Sequence, residues 1–171
     1  MRKLLLLLLL FTHCLQAQTI TELQQKAEAG DAKAQNDLGL KYSQGKGVVM
    51  DQIKAVEWFK KAAEKALAEA QYNLGVMYDN GDGVFMDKKK ALELWIKSAN
   101  QGFALAQCNL GIMYSNGDGV LMDKTRAAEW YTKAAQQGDA KAQLNLGMMY
   151  ANGDGVLTDK TKAVQWITLK Q

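Results

Sequence analysis

The chain has 171 residues, 48% of them hydrophobic and 23% charged, a composition that buries a core and excludes an intrinsically disordered chain. Its net charge of +3 includes Arg2 and Lys3; setting those aside leaves 19 basic residues against 18 acidic ones. That near-balance excludes generic attraction to nucleic acid or other polyanions.

The first segment reads as a secretory signal peptide over residues 1–17. Met1, Arg2 and Lys3 form a basic start, Leu4 to Phe11 is an unbroken apolar run, and Ala17 offers a small residue for cleavage, with Gln18 as the mature start. A bilayer span needs about 20 apolar residues, so this shorter run implies export to the periplasm or beyond without a stable membrane span. Acylation at Cys14 is the alternative, although Phe11, Thr12 and His13 do not form the small-residue box such processing prefers. Cleavage removes His13 and Cys14 and leaves Cys108 as the only cysteine. An internal disulfide, a Cys/His zinc site and a Ser-His-Asp or Cys-His couple are then excluded, so no catalytic residue, metal or cofactor is expected.

Residues 18–31 read as an N-terminal capping helix. The stretch Ala29 to Gln35 matches Gln137 to Gln143, which places residues 20–31 at the tail of a second-type helix. From there a pattern returns every 36 residues: Ala34, Gln35, Leu38, Gly39 and Tyr42 recur as Ala70 to Tyr78, Ala106 to Tyr114 and Ala142 to Tyr150. The four repeats span 32–67, 68–103, 104–139 and 140–171.

Within each repeat the spacing of Ala34, Leu38 and Tyr42 aligns them on one face of a first helix, helix A. Gly45 and Gly47 stop it, and Asp51, Asp87, Asp123 and Asp159 stand where an N-cap would open a second helix, helix B. Helix B carries Ala55, Trp58, Phe59, Ala62 and Ala63, and ends near Ala66, Gly102 or Gly138. Gly39, Gly75, Gly111 and Gly147 each cost about 1 kcal/mol of helix propensity relative to alanine, so close helix approach is expected there. At the far end Lys170 and Gln171 replace the paired alanines, as suits a last helix. The expected fold is all-α, with nine helices in a continuous stack.

The recurring A-x-A-Q-x-x-L-G-x-x-Y, G-x-G-V-x-x-D and K-A-x-x-W patterns resemble the Sel-one-like repeat family, a relative of tetratricopeptide repeats, over residues 20 to 171. The resemblance implies a right-handed α-α superhelical solenoid acting as adaptor or scaffold, commonly in bacterial envelopes. Some exported relatives look like immunity proteins against effectors delivered into the periplasm. A cysteine-rich branch has been linked to β-lactam binding and hydrolysis, but its paired cysteines are missing here.

Three features invite a functional reading. Asp79-Asn80-Gly81-Asp82-Gly83 has the look of a calcium loop, yet Gly81, Gly83 and Lys90 stand where oxygen ligands are needed, so a structural turn is expected. Lys54, Lys90, Arg126 and Lys162, with Lys88, Lys124 and Lys160, form a basic ladder that Glu57, Glu93 and Glu129 are expected to neutralise as a solvated face. The third is the far side of helix A, where apolar residues recur opposite the Leu38 face; packing against neighbouring helices is the alternative explanation, above all for Leu40, Val76, Ile112 and Met148. The resemblance implies that this side lines the concave surface. Tyr72, Val76, Cys108, Ile112, Leu144 and Met148 would then form a strip, rimmed by Asn80, Asn116 and Asn152, suited to a partner helix or peptide. Cys108 is expected to be a small groove residue rather than a reactive thiol.

The reading is a non-enzymatic, monomeric, exported scaffold that binds a protein or peptide through the concave helix A face. The alternatives are a periplasmic immunity protein that neutralises an effector toxin and a β-lactam or cell-wall hydrolase.

Overall fold

A computed structural model describes residues 20–168. The signal-peptide and Cys14 readings, and those on Lys170 and Gln171, lie outside the described residues. Within them the chain is all-helical: α1 covers 20–28, followed by α2 (Ala32–Gln44), α3 (Gln52–Glu64), α4 (Ala68–Asn80), α5 (Lys88–Asn100), α6 (Ala104–Asn116), α7 (Lys124–Gln136), α8 (Ala140–Asn152) and α9 (Lys160–Thr168). Helix A of the four repeats is α2, α4, α6 and α8; helix B is α3, α5, α7 and α9.

Helix ends follow the local chemistry. The carboxylates of Asp51, Asp87, Asp123 and Asp159 accept from the backbone N–H groups of Lys54, Lys90, Arg126 and Lys162 at 2.9–3.0 Å, satisfying donors that a helix start leaves open. Asp31 and Asp139 cap α2 and α8 in the same way, whereas Leu67 and Phe103 open α4 and α6 without a side-chain cap. Ala66, which ends the first helix B, has φ of 59°, where the second and third repeats place Gly102 and Gly138. It is the one non-glycine residue with positive φ among those described.

The helix A glycines explain how the two helices of a repeat meet. A Cβ on Gly39 would lie 2.7 Å from the ring of Phe59, and one on Gly147 would lie 2.6 Å from Ile167 Cγ1. Trp95 and Tyr131 press on Gly75 and Gly111 in the same register. Each bulky helix B residue thus rests on bare helix A backbone, which offsets the propensity cost of glycine with dispersion contacts. Leu38, Leu110 and Leu146 are fully buried on the same side, and Ala55, Ala91, Ala127 and Ala163 let the B helices close over them.

Neighbouring repeats are joined by a ladder of buried glutamines. Gln35, Gln71, Gln107 and Gln143 donate from Nε2 to the carbonyls of Ala27, Ala63, Ala99 and Ala135, in the last turn of the preceding helix, at 3.0–3.4 Å. Each of those carbonyls also accepts the backbone N–H of Gly30, Ala66, Gly102 or Gly138 in the turn that follows, at 2.9–3.1 Å, so the glutamine fills its second acceptor position. Successive loops also touch: the second glycine of one packs on the first turn of the preceding helix B, Gly119 against Lys88 and Gly155 against Lys124 and Thr125. The result is a solenoid of four helix pairs with α1 covering its N-terminal side.

Candidate protein-binding face

α6 and α8 meet directly as well as through α7. Between them lies a depression of about 380 Å³. The structure brings four of the predicted residues together in it, Ile112, Asn116, Met148 and Asn152, with the Tyr131 ring also on its wall. Met148, 45% exposed, and half-buried Ile112 give it an apolar floor beside exposed Asn116 and Asn152, while Leu144, one turn before Met148 and 44% exposed, lies outside it.

The remaining predicted residues are placed differently. Tyr72 and Val76 are half-buried against the Trp95–Leu110 core. The Tyr72 ring centroid is 5.3 Å from that of Phe103 and 6.4 Å from that of Trp95, so aromatic residues of its own repeat cover its outward side. Cys108 is 3% exposed and packs with Tyr131 and Leu146, which makes it a core residue beneath the strip rather than part of a groove. Burial, then the charge of Asp139, pushes the Cys108 thiol up to about 12. Asn80 is exposed and donates to Asp82 at 3.1 Å, which places it in the turn rather than on a rim.

Sequence reasoning passed over Asn73, Asn109 and Asn145, which recur at one position of helix A. Asn73 donates to the buried Asn36 carbonyl oxygen at 2.9 Å, and Asn109 and Asn145 serve the hydroxyls of Tyr72 and Tyr131. Asn145 lines the depression together with Lys141 and Asp154, so its wall carries an amide and its mouth both signs of charge. The Lys124 ammonium beside Asp154 lowers that carboxyl, and Asn152 adds a further hydrogen bond. The 36-residue recurrence of the asparagines was the available signal.

The basic ladder is also arranged otherwise than expected. Lys54, Lys90, Arg126 and Lys162 stand 3.6–3.9 Å from the cap carboxylates three residues earlier, and no ion pair among the described residues joins them to Glu57, Glu93 or Glu129. Each lies over a tyrosine ring at the end of helix A, with 5.1–5.4 Å between the charge and the centroid of Tyr42, Tyr78, Tyr114 or Tyr150. The Asp-Asn-Gly-Asp-Gly turn is structural: Lys88 spans Asp79 at 2.7 Å and Asp118 of the next loop at 3.0 Å. Among the described residues no group of three or more His, Cys, Asp or Glu side chains is placed to hold a metal ion.

Helix pairs stacked at a 36-residue period, each closing on its own glycine stripe and joined to the next by a buried glutamine, define a helical-repeat solenoid. The Sel1 repeat pattern matches residues 32–67, 68–103, 104–139 and 140–169, and the chain belongs to this family. Its fold matches the crystal structure of c5321, a protective antigen of uropathogenic Escherichia coli with an SLR fold, at TM-score 0.83 and 43% identity over 86% of this chain and 32% of that one. A Sel1 repeat protein from Oxalobacter formigenes matches at TM-score 0.81 and 40% identity, over 88% of this chain and 44% of that one. The secretory immunoglobulin A-binding protein EsiB of Escherichia coli O6:H1 is 46% identical over 43 residues, 25% of this chain and 9% of EsiB. The chain therefore spans less than half the length of each of these relatives. Sel1 repeat proteins are interaction scaffolds and generally non-catalytic.

Proposed function

We propose that this protein is an exported scaffold that holds an extended peptide or a helix of a partner protein against the inner face of its A helices, centred on Ile112 and Met148. The observation that carries the reading is the depression between α6 and α8, where a half-buried isoleucine and an open methionine meet Asn116, Asn145 and Asn152. Apolar floor and amide wall match what a peptide offers, side chains to bury and main-chain groups to hydrogen-bond. Export rests on the basic-then-apolar start of the sequence, and a relative whose ligand is secretory immunoglobulin A fits a role outside the cytoplasm. Among the described residues no helix is long and apolar enough to cross a membrane.

The test is site-specific photo-crosslinking in living cells. A photoreactive residue at 112 or 148 is expected to capture one discrete partner, whereas the same residue at Glu129, on the exposed side of α7, captures none. Met148→Lys is expected to abolish capture from 112 with the helical circular dichroism unchanged. Equal capture from 129, or capture that survives Met148→Lys, would remove the inner face from consideration. Growth rescue against a co-expressed effector toxin would turn the same surface toward an immunity role.

A further inference from the structure

A second solvent-facing apolar feature lies on the edge formed by the A–B loops. Each loop places an apolar side chain at its tip: Val49 in the first, Phe85 at 98% exposure in the second, Leu121 at 87% and Leu157 at 90% in the third and fourth. Met50, Met86 and Met122 follow the first three tips and are exposed as well. The loops form one continuous edge, because Gly83 packs on Gln52 and Ile53 while Lys88 and Lys124 reach Asp118 and Asp154 of the following loop. Scattered exposed leucines need no explanation, but an apolar tip repeated four times in register does.

Cations stand beside every tip. Lys54, Lys90, Arg126 and Lys162 are more than half exposed and rest on tyrosine rings behind the tips, and Lys46, Lys89 and Lys160 add exposed charge. The first turns of α3, α5 and α7 hold no acidic residue, although acids are favoured there. The edge carboxylates are partly exposed but engaged: the caps Asp51, Asp87, Asp123 and Asp159 bond backbone N–H groups, Asp82 accepts from Asn80, and Asp79, Asp118 and Asp154 are held by Lys88 and Lys124.

From this edge we infer that the protein docks peripherally on an anionic lipid surface, with the loop tips in the acyl boundary and the ladder of cations among the headgroups. Two observations favour a bilayer over a protein partner. The tips protrude fully, so a protein would need a matching pocket for each, whereas a fluid acyl layer needs none. Across repeats the tip keeps its apolarity but not its shape, from valine to phenylalanine to leucine, while the neighbouring cation is kept throughout; that suits a medium reading hydrophobicity and charge rather than contour. Docking by this edge leaves the inner face of the A helices open.

The test uses the full chain with vesicles of phosphatidylglycerol and phosphatidylcholine, and with phosphatidylcholine alone as the neutral control. Hydrogen exchange read by mass spectrometry is expected to slow at residues 48–50, 84–86, 120–122 and 156–158 only with the anionic vesicles. Protection limited to residues 1–19, or none at the loops, overturns the inference. In sedimentation, Phe85→Asp with Leu121→Asp and Leu157→Asp is expected to weaken binding by more than about tenfold. Replacing Lys54, Lys90, Arg126 and Lys162 by Gln is expected to lower binding to anionic vesicles about tenfold and flatten its salt dependence. Unchanged binding in either variant, with folding verified by circular dichroism, or stronger binding to an acidic amphipathic peptide than to vesicles, overturns it as well.

Discussion

Gln107 donates from Nε2 to the carbonyl of Ala99 at 3.2 Å, and its Oε1 accepts from Gln137 at 2.8 Å. One buried amide thus closes the end of the preceding helix B and reaches the end of its own. Replacing Gln107 by Leu leaves the Ala99 carbonyl and the Gln137 amide without this partner. A loss of about 1–3 kcal/mol is expected, read as a shift in the urea midpoint, with Gln107→Glu at least as damaging because it sets a buried carboxylate oxygen against the Ala99 carbonyl. A stability equal to the parent's would mean that water replaces the amide at no cost.

The register of Gly111 on the Tyr131 ring predicts a steric response. Gly111→Ala gains helix propensity but places a methyl about 2.5 Å from that ring, so the net effect is expected to be destabilising by about 1–3 kcal/mol. Gly111→Ala with Tyr131→Leu is expected to recover part of the loss, which a double-mutant cycle measures.

Ala66 predicts the opposite sign. Its left-handed φ of 59° strains a residue with a Cβ, so Ala66→Gly is expected to raise stability by about 1 kcal/mol and Tm by about 2–4 °C. Calorimetry of the two proteins decides it.

The ion pairs between loops set two pH limits. The Lys124 ammonium lowers the Asp154 carboxyl, so the contribution of this pair is complete above the ordinary carboxylate range and is lost as pH falls through the lowered folded value. The Tm difference between the parent and Lys124→Ala is therefore expected to be constant above about pH 5 and to vanish in strong acid. Hydrogen bonds to Asp79 and Asp118 raise the Lys88 ammonium, whose contribution is present below the ordinary lysine range and is lost as pH rises through the raised folded value. The Lys88→Ala difference is expected to disappear only in strong alkali.

Cys108 is expected to resist alkylation. With the thiol pushed up to about 12, roughly one molecule in ten thousand holds a thiolate at pH 8. Iodoacetamide should label Cys108 in urea and leave it unmodified in the native protein, as peptide mass spectrometry would show.

The fold was legible because its determinants are local and recur. A cap at Asp51, a glycine stop at Gly45 and a bare stripe at Gly39 each act within one or two turns, and fourfold repetition at 36 residues separates them from chance. The candidate face was only half legible. Helical spacing places Tyr72, Cys108 and Leu144 at one position of helix A, yet their surroundings differ: the Phe103 ring meets Tyr72 at a tilt, Tyr131 and Leu146 of the next repeat pack in the cluster that buries Cys108, and Leu144 stays open. The loop-tip ladder recurs as plainly as the caps, but a loop pattern does not say which side chains find partners.

Residue order by itself determined the helix boundaries, the repeat length and the all-helical class, since hydrogen-bond capping and backbone propensity are properties of a few consecutive residues. Tertiary structure decided which apolar side chains became core, Cys108 among them, and which remained open to solvent, Met148 and Phe85 among them. The reason is that burial depends on what a neighbouring repeat brings across the interface, and residues distant in the chain supply it.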